Sequence, residues 1–163
     1  MLLICLLFCG DLAWKGGPFL EAIDGFGYEP WAYGARVQLD YKDRFEFTSG
    51  ITMLDKVAYG PQTDYTTEFR VFFGQRYVAG GTWDRVEFRN IGHRRRVYSG
   101  LFGAVFDDLT VLAHFRDDSA YQTWGVSLQK DFEKCRAVLK VKQAQTDEGK
   151  ISGVFLGLTY WVF

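Results

Sequence analysis

Few residues in this chain could carry bond-making chemistry. The only histidines are His93 and His114. A histidine acts as general base when a serine or other nucleophile lies within hydrogen-bond reach and an acid orients the ring. His93 sits in the basic run Gly92-His93-Arg94-Arg95-Arg96, six residues before Ser99. His114 shares a face with Thr110 and Arg116 and could meet Ser127 or Asp117. The plainer expectation is a solvated loop histidine and a satisfied inward one, so no catalytic residue is assigned. Two histidines without helical or strand pairing make no metal site. No glycine-rich phosphate loop, paired catalytic carboxylates or nucleotide fingerprint occurs, so no cofactor is implied. Arg94, Arg95 and Arg96 form the densest charge run, and arginine grips phosphate through bidentate hydrogen bonds.

The elements that must hold these residues alternate with period two. From Trp31 to Tyr41 the odd positions are Trp, Tyr, Ala, Val, Leu and Tyr, and the even positions are Ala, Gly, Arg, Gln and Asp. A helix would bring Val37 beside Asp40 and has no clean face here. Arg44 to Met53 and Tyr65 to Phe73 repeat the pattern. So do Leu109 to Arg116, Tyr121 to Phe132, Cys135 to Gln143 and Ser152 to Val162. Tyr77 to Phe88 reads as a strand bent at Gly80-Gly81, and Val97 to Phe106 as a strand apolar on both faces. Pro18 to Phe26 is a possible first strand. No helix, linker or repeat is expected.

Tight turns are expected at Lys42-Asp43, Gly74-Gln75-Arg76, Asp107-Asp108 and Glu133-Lys134. Longer loops are expected at 55–64, 89–95, 117–120 and 144–150. Short and long connections alternate, so a meander collects the short turns at one rim. The expectation is an all-β, antiparallel up-and-down transmembrane barrel of about ten strands, with eight as the alternative.

Composition narrows the class. The 163 residues carry a net charge of −1, which argues against a nucleic-acid partner. Aromatic residues are 18% of the chain, with 18 Gly against 3 Pro, a balance that suits bent, closely packed strands. No apolar run is long enough for a membrane-spanning helix. Leu2 to Cys9 resembles the apolar part of a secretion signal but lacks a preceding Lys or Arg; an N-terminal strand or a misassigned start is the other reading. Residues 1–16 are therefore set apart from a barrel at 17–163. If the leader is removed, Cys5 and Cys9 go with it and Cys135 is the one remaining thiol.

Alternation alone leaves two barrels open, a membrane barrel and a soluble lipocalin-like carrier of an apolar ligand. Strands of about ten residues favour the membrane. So do aromatics near strand ends: Trp31, Tyr41, Tyr65, Phe73, Tyr160 and Trp161 are expected at the two interfaces. In that reading Arg36, Asp40, Glu46, Glu68, Arg70, Arg136, Lys140 and Lys142 face a narrow lumen as a ladder of ion pairs, with Arg44 and Arg116 also inward. Such a lumen holds no open pore.

Residues Tyr121 to Tyr160 resemble the last strands of the lipopolysaccharide-assembly barrel family. The likeness rests on Trp124-Gly125-Val126-Ser127-Leu128-Gln129-Lys130-Asp131, on Cys135 opening the next strand, and on Gly157-Leu158-Thr159-Tyr160, about a quarter of the chain. It implies a fragment or a reduced relative of a larger barrel, since the family's periplasmic domain has no counterpart in these residues. In that family cysteines near the last strands can bond to that domain; Cys135 has no evident partner. The terminal Gly157 to Phe163 also resembles the assembly signal of outer-membrane proteins, which implies the barrel-assembly machinery as a partner. The functional expectation is a non-enzymatic barrel of the bacterial outer membrane, active in envelope assembly or lipopolysaccharide handling. Its partners would be outer-membrane lipid and lipopolysaccharide, with Arg94, Arg95 and Arg96 against the phosphates. The alternative is a lipid A-modifying hydrolase. The chain is similar in size to lipid A deacylases but lacks their close His-x-Ser spacing.

Overall fold

A computed structural model describes residues 12–25, 31–54, 61–88, 91–118, 121–146 and 149–162. They form ten strands: β1 (Leu12–Gly25), β2 (Trp31–Tyr41), β3 (Phe45–Leu54), β4 (Gln62–Phe73), β5 (Tyr77–Phe88), β6 (His93–Phe106), β7 (Leu109–Asp118), β8 (Tyr121–Asp131), β9 (Cys135–Thr146) and β10 (Gly149–Tyr160). Each pairs antiparallel with its neighbours in sequence, and β1 pairs with β10 to close the barrel. Closure removes every free sheet edge, as a lipid environment requires. The expected ten-strand meander is the observed one. β1 begins at Leu12, earlier than the expected Pro18, so residues 12–16 belong to the barrel wall. Cys5 and Cys9 lie outside the described residues.

The period of two sets the faces. Along β2, Trp31, Tyr33, Ala35 and Val37 are exposed, while Ala32 and Gln38 are buried. β10 follows the same rule, with Leu156, Leu158 and Tyr160 outside and Phe155, Gly157 and Thr159 inside. β6 is apolar on both faces because Val97 and Leu101 fill the lumen while Phe102 and Phe106 stand outside. Among the described residues thirty large hydrophobic side chains are exposed, against thirteen buried hydrophobic ones. A water-soluble carrier needs the reverse, because an apolar exterior of this extent would associate in water.

The two rims differ. One is closed by connections 42–44, 74–76, 107–108 and 132–134. Lys42 and Asp43 both take left-handed φ values, 53° and 52°, the requirement of a type I′ hairpin turn. Arg44 N–H donates back to the Tyr41 carbonyl at 3.1 Å. Arg44 is thus an exposed turn residue, contrary to the inward position expected of it. At the opposite rim the connections at 26–30, 55–61 and 89–92 are longer. The loops expected at 117–120 and 144–150 shrink to 119–120 and 147–148, because β7, β9 and β10 extend through polar residues that sequence alternation does not mark. The loop expected at 89–95 is shortened in the same way, since β6 starts at His93.

Candidate functional site in the barrel lumen

Near the short-turn rim, the inward positions of five strands carry charges that meet across the barrel. Glu46 on β3 is 4% exposed and accepts from four donors. Arg136 reaches it with Nη1 at 3.1 Å and Nη2 at 2.8 Å. Arg70 Nη1 lies at 3.2 Å and Gln38 Nε2 at 3.0 Å. Arg136 stands on β9, separated from β3 by β10, β1 and β2, so its side chain spans the lumen. Its Nε also donates to Asp131 at 2.6 Å. Arg70 pairs with Glu68, and Gln38 donates to Asp40 at 2.7 Å. Buried charges are tolerated only when paired and hydrogen-bonded, and these are. Beside this network Val78, Leu101 and Leu112 form an apolar cluster with Phe72 and Val105. Ions on one side and hydrocarbon on the other give the lumen a floor.

The barrel is thus ionic within and apolar without. This chain is a transmembrane β-barrel. The pattern belongs to the bacterial outer membrane, whose barrels carry short periplasmic turns and longer outer loops.

Above the floor lies a cavity of about 260 Å³, lined from Arg70 and Arg136 up to Leu54, Gln62 and Val86. Arg36, Glu68, Lys140 and Lys142 border it, so all eight residues assigned to the lumen lie on inward positions. They do not form one continuous ladder. Asp40, Glu46, Glu68, Arg70 and Arg136 belong to the floor, and Asp40 also meets Lys15 at 3.8 Å. Lys140 pairs with Glu21 at 3.5 Å. Arg36 and Lys142 make no ion pair among the described residues and lie over the rings of Phe19 and Phe155. Lys15, Glu21, Gln38, Asp64, Asp84, Gln129 and Asp131 join the lumen residues without having been expected there. Strand parity marks Gln38 and Asp64, which share a face of β2 and β4 with expected lumen residues; β1, β5 and β8, which carry the others, hold no such reference residue.

His114 borders the cavity, and its Nε2 lies 2.7 Å from Ser127 Oγ. The pair has the spacing of a base and a nucleophile. Ser127 is 2% exposed and also borders the cavity. The flanking backbone is committed to the β7–β8 and β8–β9 ladders, so its N–H groups are not offered to an oxyanion.

Arg94, Arg95 and Arg96 fall within β6 rather than in a loop. Parity separates them, because Val97 is buried inward. Arg95 shares the inward side, and Arg94 and Arg96 are exposed on the outside. Arg94 Nε meets Glu87 at 3.1 Å, and Arg85 Nη2 meets the same carboxylate at 2.6 Å. Trp31, Tyr65, Phe73 and Tyr160 are exposed on the outer face, and the Tyr41 ring lies tilted against Phe45, centroids 6.2 Å apart. Trp161 does not join them. It is 7% exposed and sits between Lys15 and Arg136, at 5.0 and 6.0 Å from the ring centre. The chain is still extended there: Trp161 N–H donates to Lys134 and Val162 N–H to Gly16. Adjacent residues of an extended chain must face opposite ways, so Tyr160 outside puts Trp161 inside. Cys135 is a free thiol on the partner position of Tyr160.

No family model and no curated protein matches the chain. Among solved structures, the KdgM porin is 11% identical, with 91% of this chain and 98% of that one covered and a TM-score of 0.47. The NanC porin is 9% identical over 91% and 98%, with a TM-score of 0.46. Ail, the attachment invasion locus protein of Yersinia pestis, is 9% identical over 92% and 97%, with a TM-score of 0.36. At such values the membrane assignment rests on the exterior and lumen described above. The likeness of residues 121–160 to lipopolysaccharide-assembly barrels gains no support from these matches.

Proposed function

We propose that this protein is a non-enzymatic outer-membrane barrel, closed to free diffusion, that engages lipopolysaccharide from its outer rim. One observation carries the reading. At the long-loop end of β5 and β6, Arg85, Arg94 and Arg96 share the outer surface, and among the described residues Arg85 and Arg94 both pair with Glu87. Arg96 makes no ion pair among the described residues, and the Arg94 side chain is 68% exposed. Ordinary lipid-facing surface excludes such charge, so the cluster fits the headgroup level. Lipid A phosphates there would meet a planar guanidinium fork. The envelope role belongs to this same reading, with the rim as the point of contact.

Binding of lipid A to the purified barrel in detergent micelles tests it. Arg94→Ala/Arg96→Ala should weaken binding about tenfold or more, at about 1 kcal/mol per surface arginine. Enzymatically dephosphorylated lipid A should bind the native barrel equally weakly. Unchanged affinity in the double variant would sink the proposal.

A further inference from the structure

The floor of the lumen pairs its charges across the barrel; in the cavity above it Lys140 pairs with Glu21, while Arg36, Lys142 and Asp84 make no ion pair among the described residues. Asp64 on β4 and Asp84 on β5 are inward neighbours on adjoining strands, each paired in register with a residue beside the other. Among the described residues Asp64 accepts from Gln62 at 2.7 Å and Asp84 makes no ion pair or hydrogen bond; Arg116 also borders the cavity. Lys142 stands on β9, five strands around the ring of ten from β4. It lines the cavity together with Asp84. Arg36 on β2 completes the cationic side. Its guanidinium lies 4.0 Å over Phe19, and the Lys142 ammonium 5.1 Å over Phe155.

The neighbouring strands make room for both cations. Arg36 lies in register between Gly17 and Gly50, and Lys142 between Gly125 and Gly153. A Cβ on Gly50 would come within 2.9 Å of Arg36 Cγ, and one on Gly125 within 3.0 Å of Lys142 Cγ. Glycine at these inward sites lets a long stem lie along the wall and present its charge to the cavity.

We infer that this cavity binds a small zwitterionic solute, its carboxylate held by Arg36 and Lys142 and its ammonium by Asp64 and Asp84. Charges held apart by a cavity gain least from one another and most from a ligand that carries both signs. A ligand with one charge satisfies one wall and leaves the other unpaired, so the site discriminates against it. The volume of about 260 Å³ lies just under the roughly 300–1,000 Å³ of ordinary ligand pockets and restricts the ligand to a few heavy atoms. The paired floor makes the site a blind pocket. It is independent of the arginine rim, which lies on the outer surface.

Isothermal titration of the full chain in detergent micelles tests this, with glycylglycine as zwitterion and propionate and propylamine as its singly charged halves. Glycylglycine should bind saturably, and each half at least about tenfold more weakly. Lys142→Gln and Asp84→Asn should each weaken glycylglycine at least about tenfold, with β-sheet circular dichroism unchanged. If either fails to fold, Arg36→Gln and Asp64→Asn replace them with the same expectation. Absence of saturable glycylglycine binding would overturn the inference and leave a cavity filled by water and salt. Propionate binding as tightly as glycylglycine, or binding indifferent to the aspartate substitutions, would overturn it in favour of a plain anion site.

Discussion

Glu46 is the residue on which the lumen turns. Two arginines and one amide converge on a single carboxylate, and Arg136 spans the barrel to reach it. Arg136→Ala should destabilise the barrel by about 3–5 kcal/mol, because Glu46 and Asp131 then lose their shared buried partner. Urea unfolding in lipid vesicles reads this directly. Glu46→Ala/Arg136→Ala should cost clearly less than the two single losses added together, since the groups act as one network. His114→Ala should leave the acyl pattern of lipid A unchanged when the protein is overproduced in membranes, as mass spectrometry of extracted lipid would report; a His114-dependent change would revive the hydrolase reading. At this scale the face of a residue was legible and its partner was not. Parity puts Arg136 and Glu46 inside, but they are 90 residues apart, and only closure of the ring brings them together. Trp161 shows the opposite trap: an aromatic doublet looks like one anchor, although an extended chain splits it between two faces.

At the scale of the elements, alternation located seven of the ten strands, β1, β5 and β6 were read without it, and the polar ends were missed. β4, β6, β9 and β10 all run further toward the long-loop rim than their hydrophobic pattern does, because backbone pairing continues where side chains no longer alternate. The bend or bulge expected at Gly80-Gly81 does not interrupt pairing, since β5 keeps an unbroken register with β4 and β6 there; Gly80 instead serves a close approach, because a Cβ would collide with the Phe69 carbonyl of β4. The turn at Lys42-Asp43 holds two side-chain-bearing residues in the left-handed region. Each such residue costs roughly 1–2 kcal/mol relative to a glycine, so Asp43→Gly should stabilise the barrel by about 1 kcal/mol in urea unfolding. Val37 lies near the middle of β2 on the outer face and is 45% exposed. Val37→Arg should cost about 2–4 kcal/mol in bilayers, the penalty of an arginine at mid-depth. A cost near zero would mean that this face meets water.

At the scale of the whole molecule, closure, an apolar exterior and a charged lumen support one another. Hydrocarbon outside removes water as a partner, so each strand must pair on both edges. A ten-stranded ring leaves an interior little wider than its side chains, so opposite charges meet and pair across it. This level was legible before the structure, because alternation, strand length and the sign mixture of the polar face depend on local pattern. The upper cavity was not legible, because it arises from which strands face one another. The central claim is that the lumen is plugged by the Glu46–Arg136 network and its apolar neighbours. Planar bilayer recording of the purified chain tests it most directly. The account predicts no large, stable conductance for the native protein; steady porin-like currents would contradict it.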